Sequence, residues 1–202
     1  MRRLLPAATC VLAACAPLAG GPLPAPLPAD ATSTVELAIA SPWAPNLRED
    51  PPTEDGEPPL PHGQVVASSA FRLHDRVDAG PSFLLDLGPR IAPGPVTGGI
   101  FVRVWVTDEA SEVDAGIRFE AGWAWAGFGT DVAVPVTDDV TLTFAPGLLA
   151  TPDLVSARLP LGASVRVDPL EFGVEGGLSA GFGLKGGYGF APWMGIRVRL
   201  SL

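Results

Sequence analysis

Hydrophobic and polar residues alternate one by one along most of this chain. From 170 to 182 the even positions are Leu170, Phe172, Val174, Gly176, Leu178, Ala180 and Phe182. The odd ones are Glu171, Gly173, Glu175, Gly177, Ser179 and Gly181. Side chains of a β-strand point to opposite faces in turn, so a period of two predicts a strand with one apolar and one polar or small face. The same alternation runs through Leu159–Val167 and Met194–Leu202. It recurs in shorter form at Val35–Ile39, Val65–Leu73, Val77–Leu87, Val102–Val106, Ile117–Trp125, Val132–Val136 and Val140–Leu148. No helical period of comparable length competes with it. The pattern predicts ten strands, with eight as the main alternative.

The connections also alternate in kind. Residues 74–76, 108–113, 137–139 and 168–169 are short polar turns. Residues 41–63, 88–97, 127–130, 149–156 and 183–187 are Gly- or Pro-rich and mostly longer. Antiparallel barrels of bacterial outer membranes carry short turns on the periplasmic side and longer loops outside. Ten strands place both ends of the barrel on the periplasmic side.

The two faces differ enough to suggest a solvent for each. The apolar rows hold no charge, and their only hydroxyl is Ser69. The opposite rows hold Glu36, Arg72, Asp78, Asp86, Arg103, Arg118, Glu120, Arg158, Arg166, Glu171, Glu175, Arg197 and Arg199 among Gly, Ser and Ala. An Arg or Lys facing lipid near the midplane costs about 2–4 kcal/mol, so an unbroken apolar row suits a bilayer. Of 202 residues, 47% are hydrophobic and 17% charged, with Gly 24 and Pro 23. A Gly-rich polar row makes a poor water-facing surface but fits a narrow lumen. The expected fold class is therefore all-β, an antiparallel up-and-down transmembrane β-barrel of 8–10 strands spanning residues 32–202. The rival is a soluble, lipocalin-like barrel with the apolar row inside, binding a hydrophobic ligand in the periplasm. In the membrane reading, Trp123, Trp125, Tyr188 and Phe190 fall near the outer rim, where aromatic girdles occur.

The first residues read as an address. Met1-Arg2-Arg3 is basic, and residues 4–14 are uncharged and mostly apolar. That order matches a secretory signal. Leu12-Ala13-Ala14-Cys15 resembles the lipobox of bacterial lipoproteins. The resemblance implies a signal peptide over 1–14, diacylation of Cys15 through a thioether, and N-acylation of the new terminus with a chain such as palmitate. Residues 15–31, rich in Pro and Ala, are expected as a tether. Ala16 after the Cys, rather than Asp, implies sorting to the outer membrane. Removing residues 1–14 leaves one Cys, so no internal disulfide can form. It also leaves 11 cations against 22 anions.

The segment Phe71-Arg72-Leu73-His74-Asp75-Arg76-Val77-Asp78-Ala79-Gly80 resembles the strand–turn–strand phrase of small bacterial outer-membrane β-barrel proteins. Residues 135–142 and 166–171 resemble it again. Gly195-Ile196-Arg197-Val198-Arg199-Leu200 is similar to the C-terminal signal read by the barrel-insertion machinery, although this chain ends in Leu202 rather than an aromatic. The resemblance implies an outer-membrane location, lipid as the surrounding phase, and contact with the barrel-insertion and lipoprotein-sorting machineries. It implies no particular activity.

Candidate chemistry is sparse. Net charge is −9, against the basic face that nucleic acid requires. His62 lies in the Pro-rich stretch and His74 in a short turn, and neither stands beside a Ser on an apolar row. No phosphate loop, metal-ligand cluster or Cys nucleophile is present. No enzyme activity, metal or cofactor is expected. The acidic, Pro-rich 41–63 stretch is expected to be a solvated loop. Seven Arg and six acids on the inner rows should pair, since isolated ions in a narrow lumen are poorly solvated. The expectation is a plugged lumen and a structural, surface-interaction or narrow-transport role. Anion passage along the Arg row is the alternative use.

Overall fold

The computed structural model describes residues 23–42, 63–86, 97–107, 111–123, 125–150, 154–183 and 188–202. They form strands β1 (Ser33–Pro42), β2 (Gln64–His74), β3 (Val77–Asp86), β4 (Thr97–Trp105), β5 (Asp114–Gly122) and β6 (Trp125–Pro135). β7 (Val140–Phe144), β8 (Gly147–Ala150), β9 (Leu154–Val167), β10 (Leu170–Gly183) and β11 (Tyr188–Ser201) follow. Every pairing is antiparallel, each strand beside its sequence neighbour. β10 joins β9 on one side and β11 on the other, and β11 returns to β1. The sheet is thus a closed barrel with no free edge.

β7 and β8 are two arms of one bent stave. Both lie between β6 and β9, with Ala145 and Pro146 at the bend. Counted as staves, the barrel has ten strands. Closure is tied at the chain end, where the Leu202 amide donates to the Ser33 carbonyl over 2.9 Å and the Thr32 amide donates to the Leu202 carbonyl over 3.0 Å.

The faces are assigned as the alternation requires. Val35, Leu37, Ile39, Phe71, Phe83, Ile100, Phe119, Leu142, Leu159, Leu161, Phe172, Val174, Ile196 and Val198 are all exposed on the outside. Arg, Asp and Glu are buried inside. A soluble barrel needs the opposite arrangement, so the lipocalin-like alternative does not fit this fold. With β7 and β8 counted as one, staves of 9–14 residues, tilted, are long enough to cross a hydrocarbon core about 30 Å thick.

Two expectations change. The β5–β6 connection is not at 127–130 but at 123–124, between paired Gly122 and Trp125. Gly127 and Gly129 looked like loop residues because they are glycines. Their place is the inner wall, where Gly129 faces the Arg118 side chain. Trp125 consequently opens β6 and points inward instead of completing an outer girdle. A Cβ on Gly99 would lie 2.5 Å from its ring, and one on Gly122 closer still. The indole lies over these two glycines, and their missing side chains are what admit it. Trp123 stands at the turn, 90% exposed, and Phe190 is exposed on the outer face. The Tyr188 side chain lies outside the described residues.

The second change concerns the tether. Residues 23–31 do not run free. Leu23, Ala25, Leu27 and Ala31 are buried within the barrel, with Leu23 and Ala25 against Ala133, and Leu27 against Ala70 and Phe101. Residues 15–22 lie outside the described residues, as do 1–14 and 43–62 of the acidic stretch.

The charged lumen, a candidate functional site

Alternate residues of β1, β3–β6 and β9–β11 project one ionic network into the lumen. Arg103 on β4 reaches Asp78 on β3 with Nε at 3.1 Å and Nη2 at 2.9 Å, and Asp131 on β6 with Nη1 at 3.2 Å. Trp105 donates its indole N–H to Asp78 over 2.9 Å, and the Arg103 guanidinium lies 4.6 Å from the Trp105 ring centroid. Arg118 on β5 holds the other oxygen of Asp131 and donates to Glu120 over 2.8 Å, and Arg158 on β9 reaches Glu120 over 3.2 Å. Asp78, Arg103, Asp131, Arg118, Glu120 and Arg158 thus form an unbroken chain of alternating charge around one side.

The other side repeats the arrangement. Arg197 on β11 donates to Glu36 on β1 over 2.6 Å and also bonds Glu175 on β10. Gly173 sits beside Arg197 in the ladder, and a Cβ there would come 2.8 Å from the Arg197 Cγ, so the glycine leaves the arginine its route to Glu175. Arg199 bonds Glu171, which also accepts from the Ser164 hydroxyl over 2.5 Å. Arg103 and Arg118 are 1% exposed and Asp131 0%.

The N-terminal segment links the two sides. The Leu23 amide donates to Glu36 Oε2 over 2.7 Å, and the Leu23 carbonyl accepts from Arg103 Nη1 over 2.7 Å. Arg199 donates to the Ala25 carbonyl over 3.3 Å. Arg72, near the end of β2, donates to three consecutive carbonyls: Leu27 at 2.9 Å, Pro28 at 2.6 Å and Ala29 at 2.9 Å. Pro24, Pro26 and Pro28 lack N–H groups, so the segment offers mainly acceptors, and arginines supply the donors. Beside residues 25–29 a cavity of about 260 Å³ opens toward Asp114, Asp139, Arg166, Glu171 and Arg199.

Of the thirteen expected lumen residues, Glu36, Asp78, Arg103, Arg118, Glu120, Arg158, Glu171, Glu175, Arg197 and Arg199 meet in this network. Arg72 belongs to the segment's binding site rather than to an ion pair. Arg166 stands at the rim, 3.6 Å from Asp30 and 3.7 Å from Asp168, and remains 34% exposed. The Asp86 side chain lies outside the described residues. Asp131 and Trp105 were missed. Asp131 stands one position before the Val132–Val136 run, on the row opposite Val132 and Val134, and carrying that alternation back one step reaches it. Among the described residues no group of His, Cys, Asp and Glu is arranged to hold a metal ion.

No protein-family model matches the chain, and no curated protein sequence does. Solved structures with a similar fold include a KdgM porin, at 12% identity over 84% of this chain and 99% of that one, TM-score 0.43. An outer-membrane channel from Pseudomonas putida F1 is similar at 10% identity over 88% and 100%, TM-score 0.46. The outer-membrane protease OmpT from Escherichia coli is similar at 8% identity over 85% and 94%, TM-score 0.36.

Proposed function

We propose that this chain is a bacterial outer-membrane β-barrel protein, tethered through an acylated Cys15, whose resting lumen is closed. The observation that carries the reading is the inversion of its two faces. Large apolar side chains stand exposed around the outside, while arginines and carboxylates are buried inside. In water such a surface would associate without limit, whereas in a bilayer it is the required one. The proposed closure rests on burial, since a group lining an open aqueous pore would be wet.

A structural or surface-interaction role is favoured over general diffusion, with passage of solutes requiring a rearrangement of the lumen. On a detergent gel the unboiled protein should migrate as a compact species that boiling abolishes. Release of a water-soluble domain after removal of residues 1–31 would overturn the membrane reading. Steady conductance of porin size in a planar bilayer would overturn the closed lumen.

A further inference from the structure

We infer that the periplasmic mouth of the barrel is a binding site for an extended polypeptide, filled by the chain's own residues 23–31, and that this segment is an exchangeable plug. The inference rests on the membrane-barrel reading and adds a ligand to it.

Four observations support it. First, the wall recognises backbone. Arg72, Arg103 and Arg199 donate to carbonyls of Leu23, Ala25, Leu27, Pro28 and Ala29, and Glu36 accepts the Leu23 amide. The apolar contacts among buried residues are those of Leu23 and Ala25 with Ala133, and of Leu27 with Ala70 and Phe101. Second, residues 23–31 belong to no strand, so leaving the lumen breaks no rung of the barrel.

Third, the 260 Å³ cavity alongside residues 25–29 gives the segment room to shift. Fourth, the wall survives departure. Arg103 keeps Asp78 and Asp131, and Arg199 keeps Glu171. Arg72 differs, because its hydrogen bonds among the described residues are the three carbonyls. It is the latch of the plug, and its charge is exposed to the lumen when the plug is out.

The full-length chain, refolded and inserted into planar phosphatidylcholine bilayers in KCl, tests this with two variants. Arg72→Ala removes the latch. Leu27→Asp spoils the segment's apolar contact and replaces no strand residue, so it serves even where the first variant fails to fold. Compact, heat-modifiable migration is checked for each. Each variant should raise the open probability about tenfold or more, Arg72→Ala by removing charge-assisted hydrogen bonds and Leu27→Asp by placing a carboxylate in an apolar contact.

A free nonapeptide with the sequence of residues 23–31, added in excess, should close Leu27→Asp channels, whose wall is intact. It should close Arg72→Ala channels far less. Compact variants as silent as the unaltered chain would overturn the plug, and so would a peptide without effect on Leu27→Asp. Loss of the compact form in the unaltered chain would instead count against the barrel itself.

Discussion

Arg103 donates to the carbonyl oxygen of Leu23, eighty residues earlier in the chain, over 2.7 Å, while three of its other guanidinium hydrogen bonds go to Asp78 and Asp131. One buried side chain thereby joins β3, β4, β6 and the N-terminal segment. A guanidinium can serve all of them because its five N–H groups fan out in a plane.

Arg103→Ala should therefore be among the most damaging single changes in the lumen. It leaves Asp78 and Asp131 facing each other in a dry interior, with Asp131 still held by Arg118. Removing one partner of a buried ion pair costs about 3–5 kcal/mol, most of it the uncompensated charge. The urea midpoint of unfolding, followed by loss of the compact gel species, should fall accordingly. Adding Asp78→Asn to Arg103→Ala should restore part of the loss. A double variant no better than the single one would contradict the pairing.

The rim behaves differently. Arg166 lies 3.6–3.7 Å from Asp30 and Asp168, whose side chains are exposed. Exposed pairs contribute about 0–1 kcal/mol and are screened by salt. Arg166→Ala should shift the urea midpoint little, and 0.5 M salt should erase the shift. Arg197→Ala, which strands Glu36 and Glu175, should be costly at any salt concentration. Equal effects from the two arginines would refute the division into a buried network and a solvated rim.

Much of this architecture is legible in the sequence because the proposed bilayer imposes a hard rule on every other residue of a barrel. Phe172, Val174, Ile196 and Val198 could not be polar, and Arg103, Arg118 and Arg197 could not sit on their row. The alternation therefore survives even where Gly and Ala dilute it. What was not legible lacks that rule. Gly127 and Gly129 resemble loop glycines, but they are wall positions whose missing side chains make room for Glu120 and Arg118 on the neighbouring β5. Asp131 is the one charge on the short row of Asp131, Ala133 and Pro135, so no repeat marks that row as polar. Residues 23–31 have no period at all, since the proline backbone pairs with no strand. Their role depends on carbonyls, which every residue carries and which no pattern of side chains can reveal.

The contact between Trp125 and Gly122 can be tested by a double-mutant cycle. A Cβ at Gly122 would collide with the indole, so Gly122→Val must expel it or displace β5 from β6. Overpacking of this kind costs about 1–3 kcal/mol. In a Trp125→Ala background the same substitution should cost less, because the Gly98 carbonyl, 2.7 Å from that Cβ, is then the remaining close contact. Additive effects on the urea midpoint would show that the indole does not lie over the glycine.

The outer face makes a depth-dependent prediction that no water-soluble barrel shares. Val174, in the middle of β10, and Val167, at the end of β9, are each 61% exposed. Their surroundings differ in one respect: Val174 stands near the midplane of the proposed bilayer and Val167 at its periplasmic boundary. Arg at the midplane costs about 2–4 kcal/mol, falling to about 0–1 near the interface. Val174→Arg should thus lower stability in phospholipid vesicles several times more than Val167→Arg. In water the two exposed valines would accept arginine equally well. Urea unfolding of both variants in vesicles, with insertion checked by heat-modifiability, compares them directly. Equal costs at the two positions would mean that the exposed apolar belt does not face lipid.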